Sequence, residues 1–133
     1  LFYLQSLGII ISGIVMVLTF LNLRELKKTR IDETRGYIVF YIDRNKISKC
    51  YNLVIKNFGK STGKLLSIKT IPEIDYKKSK WSCNFKPITC FENILLAPNQ
   101  SITSEFDFNN YPDTKFDIIV NYETLGKKYI EKY

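Results

Sequence analysis

The sequence predicts a mainly β protein, an amino-terminal transmembrane helix followed by an antiparallel immunoglobulin-like β-sandwich of about seven strands. Three observations lead there. Residues 1–23 carry no charged side chain. From Tyr37 onward the chain breaks into short runs of β-branched and aromatic residues. Clusters of Asn, Asp, Gly and Pro separate those runs. A chain of 133 residues has room for one domain and one additional element.

The first element is LFYLQSLGIIISGIVMVLTFLNL, residues 1–23. Crossing a hydrocarbon core takes about 20 apolar helical residues, and this stretch supplies them. A core helix of a soluble domain would show a polar face, which is missing here. A signal peptide would place basic residues before the apolar run. Instead Arg24, Lys27, Lys28, Arg30 and Arg35 follow it. The positive-inside rule then predicts a single-pass protein of the cell membrane, amino terminus outside and carboxyl-terminal domain in the cytoplasm. Those five residues are the expected contacts to membrane lipid, at about 1 kcal/mol each near anionic headgroups. Residues 24–36 read as a basic juxtamembrane linker or helix, with Lys28 and Asp32 as i,i+4 partners and Gly36 as a natural stop. The first residue is Leu1 rather than Met, which suggests a trimmed start. Gly8 and Ser12 form a small-xxx-small pair through which helices could approach, so a homo-oligomer is left open.

The domain is expected over 37–133. Its predicted strands are YIVFYID (37–43), CYNLVIKN (50–57), KLLSIKTI (64–71), ENILLAP (92–98), SITSEFDF (101–108), KFDIIVNYE (115–123) and KKYIEKY (127–133). In the second, Tyr51, Leu53 and Ile55 share a face; in the third, simple alternation puts Leu66, Ile68 and Thr70 together. Residues 72–91, with Trp81, Cys83, Cys90 and four lysines, fit the pattern least and read as a long connection with room for another strand.

The stretch VIKNFGKSTGKL (54–65) has the residue types of a phosphate-binding loop. Such a loop needs G-x-x-x-x-G-K-[ST] between a strand and a helix. Val54 and Phe58 occupy the positions of the first glycine in the two registers, and a strand pattern follows. The segment is therefore expected to turn the chain between strands. Asn57 and Gly59 suit positive φ, and Phe58 should pack at the end of the sandwich. As an exposed basic loop, it makes Asn57, Lys60 and Lys64 the candidate partner-binding residues.

The order of charge-free helix, basic linker, aromatic strand, LVIKNFGKSTGKLLSIK, ILLAPNQSI and FDIIVNYETLGKKYIEKY resembles small bacterial and prophage-type membrane proteins with one amino-terminal span and an immunoglobulin-like domain. Recurrent turns in that group, N-x-G-K and L-x-P-x-Q, match Asn57–Lys60 and Leu96–Gln100 here. The resemblance implies the anchor and the fold, supplies no catalytic residue, and points toward phage or defence contexts.

Composition bears on chemistry. The chain has 20 Lys+Arg, 13 Asp+Glu, a net charge of +7 and no histidine. Without histidine the commonest general acid/base and metal ligand is missing. Cys50, Cys83 and Cys90 make no C-x-x-C and read as free, mostly buried thiols, although a Cys83–Cys90 bridge would close a short loop. Glu73 with Asp75 and Asp113 with Asp117 read as surface carboxylates. Positive charge is spread rather than clustered, so nucleic acid is not the expected partner. The expectation is a non-catalytic, membrane-anchored interaction module with a protein partner and no cofactor or metal. The alternative is a subunit of an oligomeric assembly such as a pore-forming or phage-exclusion device.

Overall fold

The computed structural model describes residues 1–44, 46–47, 50–74, 87–106 and 115–133. The predicted segment 72–91 is thus described only at its two ends, and Trp81, Cys83, Asp75 and Asp113 lie outside the described residues, as do the last two positions of the predicted 101–108 strand.

Helix α1 runs Phe2–Thr34 without interruption. Its 33 residues measure about 50 Å at 1.5 Å each. It takes in both the apolar run and most of the basic segment after it, and none of its residues is buried. It is long and apolar enough to cross a membrane. Contacts divide the chain into residues 1–33 and residues 34–133.

Seven strands follow: β1 (Ile38–Arg44), β2 (Tyr51–Asn57), β3 (Gly63–Ile71), β4 (Ile94–Leu96), β5 (Ser101–Phe106), β6 (Asp117–Thr124) and β7 (Lys127–Lys132). A turn of 3-10 helix, Ile88–Cys90, precedes β4. One sheet has the order β1-β2-β5 and the other β4-β3-β6-β7, with every pairing antiparallel. Ile38, Phe40, Leu53, Ile55 and Phe106 from the first sheet meet Leu65, Ile68, Leu96, Ile118, Val120 and Tyr122 from the second in one core. Burying a Leu or Ile completely, as at Leu53 and Ile55, contributes about 1.5–3 kcal/mol per side chain.

Two strands depart from simple expectation. In β3 the buried positions are Gly63, Leu65, Ile68 and Thr70. Leu65 pairs with Tyr122 and Ser67 with Asn121, so a bulge at Leu66 inserts one residue. The extra residue resets the alternation and lets Leu65 and Ile68, three apart, both reach the core. The spare Leu66 carbonyl accepts the Asn93 amide at 3.4 Å. The predicted 92–98 strand shrinks to three residues because Asn93 has φ 53 and Asn99 has φ 64, which break the extended chain on either side.

Candidate functional site: a clasp around residues 34–37

Where the chain passes into the domain, four segments converge on it. Asn57, the last residue of β2, is 0% exposed. Its Oδ1 accepts from the Tyr37 amide at 3.0 Å and the Gly59 amide at 2.9 Å. Its Nδ2 donates to the Ser61 carbonyl at 2.8 Å and the Leu96 carbonyl at 2.9 Å. Its own amide donates to the Gln100 carbonyl, and its carbonyl accepts from Asn99. Every donor and acceptor of the amide side chain works, as a buried asparagine requires.

The loop 58–62 wraps the joining segment from one side. The Phe58 amide donates to the Tyr37 carbonyl at 2.8 Å, and the Ser61 hydroxyl donates to the Thr34 carbonyl. A Cβ on Gly59 would fall against Arg35 O, Tyr37 N and Gly36 Cα. A Cβ on Gly36 would lie 2.8 Å from Ser61 O and 2.9 Å from Thr124 Oγ1. Both glycines are there because two backbones touch. Neither Asn57 nor Gly59 adopts positive φ, contrary to expectation, whereas α1 does end just before Gly36, at Thr34, and the space Gly36 leaves also lets two backbones approach.

The turn Ala97–Gln100 closes the other side. The Gln100 amide donates to the Ala97 carbonyl at 3.0 Å, and the Gln100 Oε1 accepts the Ala97 amide at 2.9 Å. The N-x-G-K and L-x-P-x-Q turns therefore bond to each other through Asn57.

Arg35 adds an aromatic grip. Its guanidinium carbon lies 4.4 Å from the Tyr129 ring centre and 5.4 Å from that of Tyr37. Tyr129 in turn stacks on Tyr122, centres 5.4 Å apart. Such contacts contribute about 0.5–2 kcal/mol each, depending on desolvation.

The sequence-predicted residues thus separate. Arg24, Lys27, Lys28 and Arg30 are exposed on α1, whereas Arg35 is half-buried against tyrosines of the domain. Asn57 is corrected from a partner-contacting residue to an internal hub, since it offers no surface. Lys60 is exposed on the loop, and Lys64 is half-buried on β3 opposite Glu123. Phe58 does not pack into the sandwich end: it is 53% exposed, beside Tyr41 and under the Lys56 ammonium. Sequence reasoning missed the Arg35–tyrosine contacts and Thr124, because nothing local marks partners this far apart. Cys50 is buried and Cys90 exposed. Asp117 pairs with Lys132 at 3.0 Å, as a surface carboxylate would.

At the opposite end, a cavity of about 810 Å³ is lined by Phe40, Ile42, Tyr51, Ile74, Phe116 and Tyr133, among others. Among the described residues no group of His, Cys, Asp or Glu is arranged to hold a metal ion.

These features define a class: a two-sheet β domain carried behind one apolar helix of membrane-spanning length. The chain belongs to the family described as Domain of unknown function (DUF8453), whose model matches residues 4–133. No curated protein and no solved structure matched the chain.

Proposed function

We propose that this protein is a single-span membrane protein whose domain is a non-catalytic interaction module, held at the inner face of the membrane for a protein partner. The observation carrying the reading is α1, apolar through Leu23 and without a buried residue, while residues 34–133 build a core of their own. The basic residues directly after the apolar run favour the cytoplasmic side for the domain. Confinement beside a membrane raises effective concentration, so a modest interface is sufficient. Among the described residues β7 is an edge strand of its sheet and offers strand addition as a mode. The strand orders β1-β2-β5 and β4-β3-β6-β7 support the immunoglobulin-like reading.

Cys90 allows a direct test. In a Cys83→Ser background, an impermeant maleimide should label Cys90 only after cells are permeabilised. Labelling of intact cells would reverse the orientation, and release by carbonate washing would remove the membrane from the reading. Crosslinked pull-down of the full chain should then return one consistent partner; its absence in repeated trials would sink the interaction role.

A second reading, an oligomeric membrane assembly, is favoured by α1 itself. The Ser12 hydroxyl is folded onto the Gly8 carbonyl at 2.8 Å, leaving a smooth small-residue strip with open space around Gly8. Crosslinking in native membranes that yields only monomers would dismiss it.

A further inference from the structure

We propose that the open edge of β7 binds an extended acidic segment of a protein partner, which adds to the sheet as an antiparallel strand. The proposal rests on the reading of the domain as an interaction module and names the chemistry that the module selects.

The backbone decides which groups are on offer. The Ile118 and Tyr133 amides donate to each other's carbonyls at 2.9 and 2.8 Å. In an antiparallel ladder such doubly bonded pairs fall at every second position. Along the register of β6 with β7, Glu131, Tyr129 and Lys127 therefore turn their backbone groups toward β6. Lys128, Ile130 and Lys132 turn theirs to the other side, where no strand pairs among the described residues.

The same three residues share the face of the sheet away from the core. Tyr129 packs against the core, whereas Ile130 is 74% exposed and the Lys132 side chain 65% exposed. Charges on that face run in rows across the strands. Lys64 lies opposite Glu123 and Glu123 opposite Lys128, so this row alternates in sign and ends on a cation at the edge. Another row passes from Lys69 through Ile119 to Lys132, whose ammonium meets Asp117 at 3.0 Å. Between them Ser67, Asn121 and Ile130 make an uncharged row. Opposite charges directly across a strand pair stabilise it, and like charges destabilise it. The strand that continues these rows carries a carboxylate opposite Lys128, a β-branched residue opposite Ile130 and a carboxylate opposite Lys132.

A second copy of the chain fits this edge worse. Pairing two β7 strands through all three outward positions centres on Ile130 and sets each Lys128 against a Lys132. Edge lysines discourage self-pairing in this way. Main-chain bonds supply the attraction for an acidic strand, and the alternate side chains select it.

The test uses the full chain in phosphatidylcholine nanodiscs. The probe is a capped peptide, Ser-Glu-Thr-Val-Thr-Glu-Ser. Its controls are the same peptide with both Glu replaced by Lys, and the same peptide N-methylated at Val. Saturable binding of the acidic peptide is expected, with both controls about tenfold weaker or worse. Hydrogen exchange should slow at amides 128, 130 and 132, while 129 and 131, already bonded to β6, stay as they were. Lys128→Gln with Lys132→Gln should erase the preference for the acidic peptide. Ile130→Pro removes only an outward N–H and should also weaken binding, with unchanged exchange at 129 and 131 reporting an intact β6–β7 pair. Equal binding of the acidic and basic peptides, or protection confined to residues outside β7, overturns the inference. So does slowing of 128, 130 and 132 with rising concentration of the chain alone, which assigns the edge to a second copy. If a partner captured by the full chain is kept by Ile130→Pro, this inference falls and the interaction module stands. If neither peptide nor partner binds, both fall.

Discussion

The Gly36 amide donates to the Thr124 hydroxyl at 2.8 Å, a buried hydrogen bond between residues 88 positions apart. That hydroxyl also reaches the Thr62 carbonyl at 3.3 Å, so one oxygen joins the start of the domain, the β2–β3 loop and the end of β6. Thr124→Val keeps the shape and strands the Gly36 amide, which should cost about 1–3 kcal/mol in urea denaturation. Thr124→Ser keeps the bond and should lose clearly less. Equal losses would mean that the methyl, not the hydroxyl, matters.

Asn57 should be among the most sensitive positions. Asn57→Ala abandons four hydrogen-bond partners at once, the Leu96 carbonyl buried and the other three part-buried, for a predicted loss of about 3–5 kcal/mol. Asn57→Asp should be comparably harmful, because a carboxylate oxygen would face the Ser61 and Leu96 carbonyls. A loss below about 1 kcal/mol for either variant would contradict the hub assignment.

Two glycines are expected to respond to alanine for different reasons. Gly59→Ala pushes a methyl into the backbone of residues 35–37 and should cost about 1–3 kcal/mol or more. Gly126→Ala meets nothing within 4 Å and carries only the penalty of φ 74, about 1–2 kcal/mol. Hydrogen exchange separates them further: the first should loosen Phe58 and Tyr37, the second only the β6–β7 hairpin.

The domain should lose stability in alkali. Burial pushes the Tyr122 hydroxyl up to about 12, against a smaller lowering by Arg35. Tyr133 is raised as well, by burial and by Tyr37 and Glu131. Unfolded tyrosine ionises near about 10, so between those values the folded chain holds the extra proton. Stability from this source is intact below about pH 10 and falls as pH rises, by at most about 1.4 kcal/mol per pH unit per tyrosine. Tyr122→Phe should flatten that fall. It should cost little at neutral pH, since the hydroxyl is buried without a hydrogen-bond partner among the described residues. Unchanged slopes in paired melts at pH 7 and 11 would refute this.

The span-length helix and all seven strands were legible because each is written in local periodicity. β2 follows from Tyr51, Leu53 and Ile55 alternating with Asn52, Val54 and Lys56, although Val54 on the second face is buried as well. What escaped was non-local. The bulge at Leu66 answers to the pairing of β3 with β6, so alternation read from β3 alone put Leu65 on the wrong face. Asn57 looked like a turn residue because its partners, Tyr37 and Leu96, come from segments 20 and 39 positions away. Gly59 looked like a positive-φ residue because sequence distinguishes poorly between a glycine needed for torsion and one needed for space.

The clasp also has a mechanical meaning. A force pulling along the chain from residue 33 toward the domain would first load the contacts of Thr34, Gly36 and Tyr37 with Ser61, Thr124 and Asn57. These contacts anchor loops and strands of both sheets, so the load divides between them before β1 can peel from β2. A stretch of glycine, lysine and serine that resembled a grip on phosphate is a grip on the protein's own backbone, placed where tension would arrive.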